Sequence, residues 1–326
     1  ALGPMLGLND IEAIIYANRL CNDLGLDTIS TGVCIAFAME LRQRGLYTDP
    51  QFSLEWGDSA SVLGLIQAIA HRQGTGDLLA DGVKRAADKL GPETQPYALH
   101  VKGMELPRQE PRIAKAFGLG HMTSNRGADH LYALPTVDIA SNWEAARALF
   151  PAEMLPQLMD LADETYKADL VVYSENYSAV SDALGICKFA TTETFALMPE
   201  DAAAGLSALR DRPITAAELL QAGERIVNLE RLYNARLGLT RSDDRLPDRF
   251  TREPLPIYAF TRDEAIGAVQ QSAQPIHVGL VRDPQAMLDR YYRLRGWNAQ
   301  GLPTAEKLRE LGLTSYAAPQ PTGDGA

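Results

Sequence analysis

Apolar residues recur at helical spacing over most of the chain, and glycines and capping pairs punctuate the runs. Ile11, Ile14, Ile15 and Leu20 fall on one stripe of a helix. Asn9 can cap that helix with Glu12 reaching back, and Gly25 stops it. Further hydroxyl-to-carboxylate pairs, Ser141 with Glu144, Thr215 with Glu218 and Thr261 with Glu264, stand ahead of periodic runs and predict helix starts. Asp283 followed by Pro284 begins another helix, which Gly296 ends. Strand patterning is confined to residues 51–56 and 98–106, the latter edged by Pro107. The expected fold class is therefore mostly α. A boundary near residues 107–111 gives two helical domains, 1–110 and 111–316, and the Pro- and Gly-rich tail 317–326 is expected to be disordered.

Composition narrows the function classes. A chain of 326 residues, 46 % apolar and 22 % charged, can bury a sizeable core. A net charge of −11 argues against nucleic acid as a partner, because neutralising phosphates needs a basic face. No apolar run approaches the roughly 18 residues of a membrane span, so no membrane partner is expected. Three scattered cysteines, Cys21, Cys34 and Cys187, make no disulfide framework and point to a cytoplasmic setting. The opening ALGPMLGLND reads as a loop already under way, and an N-terminal part is expected to precede it.

One pattern occurs twice, half a chain apart: NDLGLDTI at residues 22–29 and SDALGICKF at residues 181–189. In both, a polar residue is followed by a glycine, an aliphatic residue and then Asp27 or Cys187. A glycine there is most simply a left-handed helix cap. The repeated acid-or-thiol position also suits a turn that brings backbone N–H groups and a side chain against an anionic or polar cofactor edge. Cys187 reads either as inert packing or as a ligand whose partners lie elsewhere, since no CxxC is present.

The segment TSNRGADHLY places Arg126 and His130 four residues apart, on one helix face if the segment is helical. A guanidinium suits an oxyanion, and an imidazole can give or take a proton near neutral pH. The plainer reading is a helix start in which Asp129 pairs locally with Arg126 or His130. His71, His100 and His277 lack clustered partners in sequence, His121 is open to either reading, and residues 230–250 read as a charged turn laced with ion pairs.

Taken together the motifs resemble the tungsten or molybdenum aldehyde ferredoxin oxidoreductases. The resemblance rests on NDLGLDTISTG with IAFAMEL, on GDLLADGVKRAA, HVKGMELP and TSNRGADHL, on SDALGICKF and LGLTRSDDRLPDRF, and on YYRLRGW with GLPTAEKLRELGL. It runs in order from about residue 1 to residue 316.

The resemblance implies the family's two helical domains, 2 and 3, without the N-terminal β-rich domain that forms the cofactor's base. It implies a tungsten or molybdenum bis-pyranopterin cofactor with a magnesium ion bridging the pterins, a nearby [4Fe–4S] cluster, and oxidation of an aldehyde to a carboxylate with electrons passed to ferredoxin. Residue by residue, it implies pterin contacts from Asn22, Leu26, Asp27, Arg126, Asp182 and Ile186, a cluster ligand in Cys187, and a catalytic role for His130. Asn22 departs from the family's leading acid. The implied partners are ferredoxin, the aldehyde, the β-rich domain and, in a homodimer, a second copy. A related tungsten enzyme such as an aromatic acyl-CoA reductase subunit, or a cofactor-free helical scaffold, are the alternatives.

Overall fold

The computed structural model describes residues 1–262, 267 and 269–316. The expected tail and Glu264 lie outside the described residues. Helices dominate, as expected, and the backbone contacts divide the chain into two units. The first comprises Ala1–Gln109, Arg126–Asp129 and Leu246–Arg249; the second comprises Glu110–Asn125, His130–Arg245 and Phe250–Ala326.

In the first unit the helices Ile11–Asp23, Thr28–Gln43, Ser59–Ala70 and Gly82–Leu90 surround an apolar core that includes Leu6, Ile35, Met39, Leu65, Ile66 and Val83. The first helix is capped by Asp10 rather than Asn9: Asp10 holds extended backbone, and its carboxylate accepts the N–H of Glu12 at 3.0 Å and of Ala13 at 3.3 Å. Residues 51–56 form no strand. The Asp49 carboxylate accepts the N–H groups of Gln51 and Phe52, each at 2.6 Å, and this local turn competes with any ladder. Within residues 98–106 a minimal hairpin forms, β1 (His100–Val101) pairing antiparallel with β2 (Met104–Glu105).

The second unit is built around the Lys167–Leu184 helix, which packs on the helices Ala216–Arg236, Pro284–Arg295 and Lys115–Thr123. The Ala216–Arg236 helix starts with the expected reciprocal pair: Thr215 accepts the Glu218 N–H at 3.2 Å while the Glu218 carboxylate accepts the Thr215 N–H at 2.7 Å. Asp283, Pro284 and Gly296 bound the last long helix as predicted. Asn142, not Ser141, caps the short helix Trp143–Leu149, accepting the Ala145 N–H at 3.0 Å. Thr261 lies not at a helix start but in a strand: β3 (Leu255–Ile257) pairs with β6 (His277–Gly279), and β4 (Phe260–Arg262) with β5 (Val269–Gln271). No alternation in that stretch announced these strands.

Polar groups reach deep into the second unit. Arg295 and Glu175 are both fully buried and form an ion pair that Tyr291 completes, its hydroxyl donating to Glu175 at 2.6 Å. Burial alone would lower the Arg295 pKa; Tyr291 and Glu175 more than offset it, and the group stays a firm cation. Lys167 is likewise buried against Asp138 at 2.8 Å and the Leu158 carbonyl at 2.7 Å. Among the described residues no single helix is long and apolar enough to cross a membrane.

Candidate functional site

The helices Ile11–Asp23 and Lys167–Leu184 end in the same way. Gly25 and Gly185 take left-handed backbone, with φ of +70° and +69°. The Gly25 N–H donates to the Asn22 carbonyl at 3.2 Å and the Leu26 N–H to Cys21 at 2.8 Å; the Gly185 N–H donates to Asp182 at 3.2 Å and the Ile186 N–H to Ser181 at 2.9 Å. Both are helix stops of the kind in which two crossed hydrogen bonds satisfy the last carbonyls. Burial follows suit: Asn22, Asp27, Asp182 and Cys187 are exposed, while Leu26 and Ile186 are half-buried.

Past the glycine the two turns take different work. Asp27 caps the Thr28–Gln43 helix, accepting the Ser30 N–H at 2.7 Å. Cys187 opens a run of turns, and its thiol is exposed, unlike those of Cys21 and Cys34, which are buried.

Within the first unit the turn borders a cavity of about 330 Å³ lined by Gly25, Leu26, Asp27, Cys34 and Glu105 among others. Glu105 is buried, and its carboxylate accepts the Val83 N–H at 2.8 Å in the first turn of the Gly82–Leu90 helix. The Cys34 thiol lies 3.9 Å from the same oxygen, and burial followed by that negative charge pushes its pKa up, so it stays a thiol. Gly82 suits this turn because its φ of +87° is one that L side chains rarely adopt, and a Cβ would also stand 2.5 Å from the Glu105 oxygen.

Arg126 belongs to the same unit. Its segment is not helical: the Lys115–Thr123 helix stops before it and the next helix begins only at His130, so Arg126 and His130 share no helix face. Arg126 forms an ion pair with Asp129, the plainer of the two readings. Gly127 explains the break, having φ of +106° and leaving room for only 2.7 Å between an added Cβ and the Met104 side chain.

In the second unit His130, half-buried, opens the short helix His130–Ala133. Two side-chain hydrogen bonds anchor that helix to the long helices. The Tyr132 hydroxyl donates to Glu230 at 2.6 Å, and Ser178 donates to the Ala133 carbonyl at 3.1 Å. Burial, followed by the charges of Glu175 and Glu230, raises the Tyr132 pKa well above the ordinary phenol range and keeps it a donor. Tyr132, Glu175, Asp182 and Glu230 line a cavity of about 290 Å³. Glu105, Tyr132, Glu175 and Glu230 were not singled out by sequence; an acid set in the short apolar stretch HVKGMELP is the signal that marks Glu105.

The residues present fit parts of the implied groups. A cavity edged by backbone turn and carboxylates suits the amino and amide donors of a pterin. An exposed thiol at a turn suits one ligand of a cluster, whereas among the described residues no group of three or more His, Cys, Asp or Glu side chains is placed to hold a metal ion.

The family model for aldehyde ferredoxin oxidoreductase, domains 2 and 3, matches residues 1–313. Tungsten-containing aldehyde ferredoxin oxidoreductases of Thermococcus kodakarensis and Pyrococcus horikoshii are 36 % and 37 % identical, each over 97 % of this chain and 48 % of the relative. An aliphatic sulfonate oxidoreductase, WOR-like subunit, of Pyrococcus furiosus is 31 % identical over 96 % of this chain and 44 % of the relative. The chain thus spans about half the length of the curated relatives it matches. The active site complex BamBC of benzoyl coenzyme A reductase, solved with 1,5-dienoyl-CoA, has the same fold, with a TM-score of 0.69 at 21 % identity, covering 94 % of this chain and 47 % of that one.

Proposed function

Because this chain belongs to the aldehyde ferredoxin oxidoreductase family, of which it forms domains 2 and 3, we propose that it is part of an oxidoreductase that converts an aldehyde and water to a carboxylic acid, two protons and two electrons. Ferredoxin takes the electrons. The observation that carries the proposal is the pair of matching helix-ending turns, one presenting Asp27 and the other Cys187.

Asn22, Leu26, Asp27 and Arg126 in the first unit and Asp182 and Ile186 in the second would hold the pterins, with Cys187 as one cluster ligand. When bound, the tungsten or molybdenum bis-pyranopterin supplies a two-electron acceptor and the [4Fe–4S] cluster a one-electron path onward. The chain's own part is orientation and proton handling. Asn22 offers an amide that both donates and accepts, where a carboxylate would only accept. His130 is the group that takes the proton released as water adds to the carbonyl, a role open to an imidazole as general base.

The test uses the protein as purified without air from its native source, with whatever further chain or subunit accompanies it. Metal analysis should find tungsten or molybdenum and roughly four iron atoms per chain, and an aldehyde panel should reduce a low-potential acceptor. His130→Ala should lower turnover by about a hundredfold with metal content kept. An aliphatic sulfonate and an aromatic acyl-CoA belong in the same panel, since a 31 % identical relative is named for the former. Turnover of either with no aldehyde oxidised would replace the substrate class; absence of metal would leave the scaffold alternative.

A further inference from the structure

The two matching turns differ in one correlated way. In the first, the leading residue is Asn22 and the residue after Asp27 is Thr28; in the second, the leading residue is Asp182 and the residue after Cys187 is Lys188. Where the acid appears, a cation appears with it. The Lys188 side chain is 12 % exposed and its ammonium lies 2.8 Å from the Asp182 carboxylate, while the Asp182 side chain itself is 61 % exposed. The same ammonium donates to the Leu131 carbonyl at 2.7 Å.

These two contacts join elements that are 57 residues apart in sequence, the cysteine-bearing turn and the helix His130–Ala133. A helix of one turn cannot hold itself in water, because its nucleation cost exceeds what so few hydrogen bonds return. Its geometry therefore comes from its anchors. Tyr132 is fixed through Glu230 and the Ala133 carbonyl through Ser178, on the side of the long helices. Lys188 is the anchor that reaches it from the turn. A charge-assisted hydrogen bond to a carbonyl is stronger than a neutral one.

We infer that Lys188 is a positioning residue: it fixes the helix that opens with His130 against the Asp182–Cys187 turn by bridging the Leu131 carbonyl and the Asp182 carboxylate. This rests on the proposed role of His130 for its functional consequence but not for its structural content.

The experiment separates the two. In the protein as isolated, Lys188→Met should speed amide hydrogen exchange in the peptide covering residues 130–134 by about tenfold, with the Leu134 N–H, which donates to the His130 carbonyl at 3.2 Å, among the released amides. Turnover should fall by about tenfold while KM stays within about twofold, because the loss is of alignment and not of substrate binding. Lys188→Arg, still cationic and able to reach both acceptors, should restore exchange and turnover. If Lys188→Met does not fold, Lys188→Gln, which keeps a donor but no charge, is read by the same criteria. Unchanged exchange at residues 130–134 overturns the inference, and raised exchange with turnover at the parent's level overturns its functional consequence. A parent protein that turns over no substrate in the panel overturns the proposed function and leaves the exchange result standing.

Discussion

Asp27 and Cys187 stand at the same step of the same turn, each two residues after a left-handed glycine that closes a helix. Their side chains nevertheless do different work, since Asp27 caps the helix that starts at Thr28 whereas a run of turns follows Cys187. Alanine should therefore separate the two. Asp27→Ala removes an N-cap and should cost about 1 kcal/mol of folding stability. Cys187→Ala should change stability by less than about 0.5 kcal/mol yet lower bound iron in the isolated protein. Full iron retention in Cys187→Ala, measured by metal analysis on anaerobically prepared samples, rules out ligation.

Gly185 and Gly223 are kept for different reasons, one for conformation and the other for space. Around Gly185 nothing lies within 4 Å of an added Cβ, so Gly185→Ala should cost only its left-handed backbone, about 1–2 kcal/mol. At Gly223 the backbone conformation is ordinary, but a Cβ would stand 2.0 Å from the Asn176 carbonyl oxygen, where the helices Lys167–Leu184 and Ala216–Arg236 cross. Gly223→Ala should force those helices apart and cost at least about 3 kcal/mol. Denaturant midpoints of the two variants test the distinction, which fails if Gly223→Ala is the milder.

How much of this was legible in sequence follows from the range of each interaction. The reciprocal pair Thr215 and Glu218 spans three residues, so it could be read directly. Asp10 and Asn142 took the caps predicted for Asn9 and Ser141, because each neighbouring pair offers two side chains able to cap and only the backbone decides between them. The repeated turn was legible because it is local and occurs twice. By contrast, Tyr132 meets Glu230 across 98 residues and Lys188 meets Leu131 across 57. No periodicity or spacing carries such pairs. The strands β4 and β5 were missed for a related reason: they are exposed at every position, so no apolar alternation marks them, and β3 and β6 are three residues each, too short for alternation to be read.

Buried charge in the second unit should be costly to unbalance and cheap to remove whole. Glu175 and Arg295 are 1 % and 0 % exposed. Removing the carboxylate alone by Glu175→Leu strands a buried guanidinium and should destabilise the protein by about 3–5 kcal/mol. Combining Glu175→Leu with Arg295→Met removes both charges, and a coupling energy of at least about 2 kcal/mol is expected from the double-mutant cycle. Additive single and double variants would mean that the pair is not the unit of stability here.

Acid should reveal the cap at Asp58. Its carboxylate accepts the Ser53 hydroxyl at 2.5 Å, the Ser61 hydroxyl at 2.7 Å and the Ser61 N–H at 3.1 Å, at the start of the Ser59–Ala70 helix. Those bonds, the Ser53 hydroxyl first, favour the ionised form and hold the pKa below the ordinary carboxylate value. A group depressed in the folded state contributes stability that is present above its unfolded pKa and lost as pH falls through the folded one. Asp58→Ala should therefore lie about 1 kcal/mol below the parent at neutral pH, and the gap should close as pH drops below about 4. Urea unfolding of both proteins between about pH 7 and about pH 3 measures it. A gap that stays constant across that range would show that the hydroxyls bind the protonated side chain as well as the carboxylate, and the charge would then play no part in the cap.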